Sequence, residues 1–168
     1  MKENSYIEVK NYFENIANQA KFINDFVGFF EREWANRTAS VKGLKSPTLA
    51  LFKYDLGFDG PDQNTVAVRK IGFAVMFNNI KPDDFEGQYI AIHDAEQLAL
   101  KVLSRIRYDS SIPDHPLFNS FLKDSVEINP VELSGGEVGV DVLFNFKNKQ
   151  LLKVDSADWE DIENVCGY

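Results

Sequence analysis

Two histidines and one cysteine, His93, His115 and Cys166, are the residues of this sequence best suited to act as acid, base or nucleophile. A histidine needs a positioned partner to transfer protons, and a thiol needs a neighbour that lowers its pKa. His93 precedes Asp94 and His115 follows Asp114, but neither histidine stands at a metal-binding or catalytic spacing from another. We therefore predict that all three residues are dispensable for function.

The sequence also gives little indication of a metal site, a phosphate-binding loop or a catalytic carboxylate site. A single cysteine excludes an intramolecular disulfide and a multi-cysteine metal site. The Gly135-Gly136 pair lies between two strand-like segments, whereas a phosphate-binding loop must open a helix. One oxygen-rich stretch suggests calcium but lacks the regular spacing of an EF-hand, so a polar hairpin loop is favoured; its members are Asp55, Asp59, Asp62 and Asn64. The sequence thus predicts no catalytic, cofactor or metal site, and an enzyme with an unfamiliar carboxylate site is the least favoured hypothesis.

Composition narrows the class of protein. The chain has 168 residues, of which 44% are hydrophobic and 26% charged, and this is typical of a globular domain with a core. Its formal net charge of -8 argues against a general nucleic-acid binder, which needs a basic surface to neutralise phosphates. We expect no signal peptide and no membrane span, since no window approaches about 18 uninterrupted apolar residues. These features favour a cytoplasmic protein with a reduced cysteine.

The first 35 residues show helical periodicity. Apolar residues recur in steps of three and four and predict one helix from about Ser5 to about Ala35, roughly 45 Å long. On that helix they form one apolar stripe, which comprises Tyr6, Val9, Phe13, Ile16, Ala20, Ile23, Val27, Phe30 and Trp34. Tyr12, Phe22, Phe26 and Phe29 widen it. Two interpretations stay open: a core helix lying across a sheet, or a helix that also contacts another subunit. In the second case Phe22, Phe26 and Phe29 form the candidate subunit interface, because monomers rarely expose such a wide apolar surface.

The rest of the chain alternates with period two in four segments and is helical in one. The predicted strands are Thr48–Leu56, Thr65–Phe77, Ser125–Leu133 and Glu137–Lys147, and they form two hairpins. A second helix is expected near residues 94–108, with Asp94 as its cap and Gln97 completing a capping box. The fold class is therefore α+β: an antiparallel sheet of about four strands, packed by a long N-terminal helix and a second, central helix. Residues 1–147 form a single domain, and residues 148–168 form an acidic C-terminal tail.

This element order resembles the small tail-terminator, or tail-completion, proteins of tailed phages and prophages. The resemblance covers about residues 5–147 and rests on pattern. It is carried by Ser46-Pro47-Thr48-Leu49-Ala50-Leu51, Gly72-Phe73-Ala74-Val75-Met76-Phe77, Ala95-Glu96-Gln97-Leu98-Ala99-Leu100-Lys101-Val102-Leu103 and Gly139-Val140-Asp141-Val142-Leu143-Phe144-Asn145-Phe146. Proteins of this kind are α+β domains that form rings at the end of a tail tube.

The resemblance implies a non-enzymatic structural protein of virion assembly. Its expected partners are further copies of itself, in a homo-oligomer that forms a ring, and other tail or assembly proteins, with no general nucleic-acid binding and no membrane. It would be found in the cytoplasm or in the tail particle. The alternative is a monomeric ligand-binding or immunity-type module, in which sheet aromatics such as Phe73 and Phe144 line a pocket.

Overall fold

The computed structural model describes residues 5–61, 64–78, 80–150 and 152–162. Three helices, five strands and a short 3-10 turn make up this part of the chain. The helices are α1 (Tyr6–Gln19), α2 (Glu31–Thr38) and α3 (Phe85–Ser111). The strands are β1 (Asp25–Val27), β2 (Thr48–Asp59), β3 (Val66–Phe77), β4 (Phe121–Glu132) and β5 (Val138–Lys149), and the turn is Ser156–Asp158. The α+β class is confirmed.

The five strands form one mixed sheet in the order β1-β2-β3-β5-β4. β1 runs parallel to β2, and the other neighbours are antiparallel. The prediction of a purely antiparallel sheet of four strands is therefore wrong in one respect, because a fifth, parallel strand extends it. β3 is paired on both sides from Val66 to Met76 and is the central strand of the sheet.

The predicted helix from Ser5 to Ala35 is also wrong, because α1 ends at Gln19. Ser5 and Glu8 form the capping box that starts it, and Ala20 is already extended. Asn24 and Asp25 are poor helix formers, and Asp25 begins the short strand beside β2. The apolar steps of three and four continue past Gln19 by coincidence, through apolar residues of β1 and the partly buried Trp34 of α2.

α1 and α3 cover one face of the sheet, which we call the helix face. Its core includes Phe13 of α1, Val102 and Ile106 of α3, and Phe73 and Phe144 of the sheet, all at most 1% exposed. Neighbouring residues on β1 and β2 point the other way. Val27 and Ala50 form a small separate cluster with Leu44 and with Trp34 of α2 on the opposite face, which we call the outer face.

α2 is fastened to β1 by one arginine. The Arg37 guanidinium donates hydrogen bonds to the Asp25 carboxylate and to the backbone carbonyl of Phe26. The backbone N–H of Lys45 also donates to Asp25, at 3.4 Å. These contacts hold the segment between β1 and β2 against the sheet and explain why a three-residue strand is stable there.

Helix α3 is longer than the 94–108 range that the sequence predicts. It starts nine residues earlier, at Phe85, where the Asp84 side chain accepts a hydrogen bond from the Gly87 N–H at 2.9 Å. Asp94 lies inside the helix, so its predicted capping role is wrong. Tyr89 and Ile90 are exposed, and these early turns lack the buried stripe that marks a helix in a sequence.

The remaining boundaries differ by a few residues. β4 begins at Phe121, four residues before the predicted start at Ser125, and its pairing with β5 is irregular between Leu122 and Glu127. The acidic segment predicted to start at residue 148 begins inside β5 and contains the 3-10 turn. None of the helices in the described part of the chain has the length and apolar character needed to span a membrane.

Candidate interaction surface

The residues expected to lack a chemical role are scattered. His93 is exposed on α3, and His115 accepts a hydrogen bond at Nδ1 from the Leu117 N–H at 3.2 Å. Cys166 and Asp62 lie outside the described residues. Within the described part of the chain, no three histidine, cysteine or carboxylate side chains lie close enough together to bind a metal ion. Asp55 contacts Lys53 at 3.2 Å, and Asp59 contacts Lys147 at 2.9 Å.

A polar cluster around the buried Asp109 joins α1 to α3. The Tyr12 hydroxyl donates a 2.8 Å hydrogen bond to Asp109, and Arg105 Nε donates to the same carboxylate at 2.9 Å. Burial, followed by the hydrogen bond to Asp109, raises the pKa of Tyr12 far above its ordinary value. A tyrosine with a raised pKa is a poor proton donor and a poor nucleophile near neutral pH. The cluster therefore serves to hold the two helices together.

The three aromatic residues of the candidate subunit interface lie at the helix face. Phe26 is on β1 and buried in the core, and Phe22 and Phe29 are half-buried against that core. The argument that led to this interface assumed surplus apolar surface on one long helix, and that helix does not exist. Phe29 contributes to a cluster with Tyr6 and Tyr54, whose ring centroids lie 4.7 and 6.2 Å from its own.

The pocket-lining role suggested for Phe73 and Phe144 is wrong. Both side chains are buried beneath the helices, and their ring centroids are 6.2 Å apart in an edge-to-face contact. Residues spaced by two along a strand share one face, and the sequence does not show which face the helices cover. These aromatic residues form the core, and the open surface lies on the other side of the sheet.

An open groove of about 800 Å³ lies on that outer face. Its floor is a row of residues paired across three strands, Ala50, Ala74 and Asp141. Trp34 of α2 forms one wall, and the turn between β4 and β5 forms the other. Because the floor side chains are small, the groove is broad. Three acidic residues line it, namely Glu31, Glu137 and Asp141, and none of the described lining residues is basic.

Phe52 marks the border between this groove and the edge of the sheet. It lies at a bulge, where the pairing of β2 with β3 shifts between Leu51 and Lys53. A Cβ at Gly72 would come within 2.7 Å of the Phe52 ring, so the ring lies directly over the glycine. The absence of a side chain at residue 72 lets this aromatic ring lie against the sheet, where it remains 45% exposed.

The second half of β2 is an open edge. β1 pairs with β2 only from Thr48 to Ala50. In the described part of the chain, no segment pairs with residues 52–59 along the edge of β2 that points away from β3. Leu56 and Phe58 are 46% and 48% exposed on this edge. Unpaired backbone groups beside exposed apolar side chains form a template for pairing with another chain. We call residues 53–59 the β2 edge.

The β2 edge is ordered by contacts within its own chain. β3 pairs with it from Lys53 to Asp59, and β5 pairs with β3 over the same length. The Tyr54 ring packs edge-on against Tyr6 at 5.2 Å, and its hydroxyl accepts a hydrogen bond from Arg69 Nε at 3.2 Å. The edge is therefore ordered in the unbound chain, and this order lowers the entropy cost of binding a partner.

Sequence reasoning missed this surface because it treated residues 48–56 as an ordinary strand of a hairpin. The alternation of Tyr54, Leu56 and Phe58 with polar residues was the available signal. A comparison of the chain with protein-family models and with curated proteins finds no match.

Proposed function

We propose that the protein is a non-enzymatic assembly subunit that binds further copies of itself and other proteins of a phage-type tail. The observation that supports this most is the β2 edge, where an ordered strand presents unpaired backbone groups beside exposed Leu56 and Phe58. Proteins that remain monomeric usually cover such an edge or keep it short, and residues 53–59 stay uncovered beyond the bulge at Phe52. An edge left open over seven residues favours a function in assembly.

The outer groove offers a second contact surface. A closed ring requires two different complementary patches on each subunit, because its contacts are head-to-tail. The groove is separate from the β2 edge, with Phe52 as the border between them, so it can provide one of these patches independently of the edge. In a ring such as tail terminators form, the groove would receive a neighbouring subunit or the tail tube. The protein would then act in the cytoplasm during assembly or in the finished tail particle.

A ligand-binding module is the second candidate function, and the shape of the groove favours it. Pockets for small molecules commonly have volumes of about 300–1,000 Å³ and apolar walls, and this groove has 800 Å³ with Trp34, Phe30 and Phe52 among its lining. Its acidic residues would select a cationic or neutral ligand. In this hypothesis the chain works as a monomer and the β2 edge has no role.

The mass of the protein in solution distinguishes the two. We expect light scattering over a wide range of concentration to give masses above the 19.1 kDa of one chain. A single-chain mass at every concentration would contradict self-assembly and leave the binding module as the better proposal. The genes that flank the coding sequence provide a further test, since an assembly subunit should lie among genes for other tail components.

A further inference from the structure

We infer that the β2 edge binds the β2 edge of a second copy, antiparallel and about a two-fold axis that passes beside Leu56. This inference rests on the self-association proposed above and specifies its geometry. The contact is isologous, so each subunit contributes the same seven residues, and the two sheets join into one. The outer groove stays free for the different contacts that a ring would need.

The register follows from the residues on the strand. A two-fold axis at Leu56 sets residues whose numbers sum to 112 opposite each other. The opposed residues are Lys53 and Asp59, Tyr54 and Phe58, Asp55 and Gly57, and Leu56 with its own copy. Each unlike pair occurs twice, once on either side of the axis.

Every pair in this register is favourable or neutral. Lys53 and Asp59 carry opposite charges and share the outer face, while Tyr54 and Phe58 form an aromatic pair on the helix face. Opposite charges and aromatic pairs directly across two strands are the side-chain pairs that stabilise antiparallel pairing. The strand is therefore complementary to itself in both charge and apolar character.

Neighbouring registers are unfavourable. An axis at Asp55 would place two Asp55 carboxylates opposite each other, and an axis at Gly57 would oppose Asp55 to Asp59. Like charges directly across a pair of strands destabilise it. A shift of one residue would set the apolar side chains of one copy against the charged face of the other. The sequence of the edge selects Leu56 as the centre.

The fold leaves room for this pairing on β2. β1 pairs along the edge of β2 that points away from β3 only up to Ala50. The bulge at Phe52 separates the residues that pair with β1 from the β2 edge. An axis at Tyr54 would bring the second copy beside Ala50, where β1 already pairs. The opposite side of the sheet is a poorer template, because β4 is interrupted after Leu122 and contains Pro130.

Cysteine cross-linking tests the register directly. Residues opposite each other in an antiparallel pair have Cα atoms about 4.5–5.5 Å apart, which a disulfide can span. In a Cys166→Ser background we would compare Leu56→Cys with Phe58→Cys, because the two positions are almost equally exposed on the same edge. The two Leu56 residues meet at the axis, whereas the Cα atoms of the two Phe58 residues would lie about 14 Å apart.

We expect Leu56→Cys to form a covalent dimer roughly ten-fold faster, or more, than Phe58→Cys under mild oxidation. Phe58→Cys mixed with Tyr54→Cys should form a mixed dimer, which also covers the case in which the Leu56 variant folds poorly. Equal rates for Leu56→Cys and Phe58→Cys, or no mixed dimer, would overturn the inferred register. If the unmodified chain still shows masses above 19.1 kDa, self-assembly survives that result; if it is a single chain throughout, both proposals fail.

Discussion

The hydroxyl of Tyr12 donates a 2.8 Å hydrogen bond to Asp109, which lies 97 residues further along the chain. Asp109 is 2% exposed and also accepts hydrogen bonds from Arg105. A buried carboxylate that loses a donor keeps its desolvation cost. The bond therefore ties α1 to the last turn of α3 and makes the two helices of the helix face one unit.

Replacing Tyr12 with phenylalanine removes this hydrogen bond and leaves the ring in place. We expect Tyr12→Phe to lower the free energy of unfolding by about 1–3 kcal/mol, measured by urea denaturation. Tyr108→Phe is the matched control, because Tyr108 is 62% exposed on the same helix, and it should change little. Equal losses in both variants would show that the bond to Asp109 contributes nothing specific.

The same pair gives a pH dependence. Burial raises the pKa of Tyr12 in the folded state above its ordinary value of 10.0. The contribution of Tyr12 to stability is complete below pH 10.0, and it is lost above that pH because the unfolded chain releases the proton first. Above about pH 10 we expect stability to fall less steeply with rising pH in Tyr12→Phe than in the unmodified chain. Parallel curves would contradict the raised pKa.

The start of α3 can be tested by two aspartates. Asp84→Ala removes the side chain that accepts a hydrogen bond from the Gly87 N–H, and we expect a loss of about 1 kcal/mol in unfolding free energy. Asp94→Ala places a better helix former at an exposed position inside the helix and should leave stability unchanged or slightly raised. The reverse order of effects would place the helix start at Asp94, as the sequence alone suggests.

The position of Phe26 leads to a fourth prediction. Its side chain is buried in the core on β1, so Phe26→Ala should lower the free energy of unfolding by about 3–5 kcal/mol. Phe30→Ala is the control, since Phe30 is 65% exposed, and thermal unfolding of that variant should be close to the parent. A variant at Phe26 that keeps its stability but loses self-association would restore the interface that the sequence predicts there.

Period-two alternation identified all four long strands to within a few residues, most clearly β5, which buries one face of its side chains. Val138, Val140, Val142, Phe144 and Phe146 are at most 2% exposed, which is the burial that their spacing implies. The segment from Phe22 to Trp34 could not be predicted in the same way. A three-residue strand and an eight-residue helix are too short to show a period, and their apolar residues continued the stripe of α1 by coincidence.

The interaction surface was harder to predict than the fold. Which face of a strand the helices cover is decided by packing, and the sequence could not show that Phe73 lies beneath α1, 5.5 Å from Phe13. The open edge depends on where β1 stops pairing with β2, and that point is determined by the tertiary structure. That His93, His115 and Cys166 are dispensable for function stays a prediction from residue types and spacing.

The central claim is that copies of this chain associate through the β2 edge, and a matched pair of variants tests it. Leu56→Lys places two positive charges opposite each other at the inferred axis, whereas Leu100→Lys makes the same change at a residue of similar exposure on α3. Because the chain carries a net charge of -8, an added lysine reduces general repulsion between copies. Light scattering across a concentration series should show loss of the higher masses in Leu56→Lys and their retention in Leu100→Lys. Identical masses for the two variants and the unmodified chain would contradict assembly through this edge.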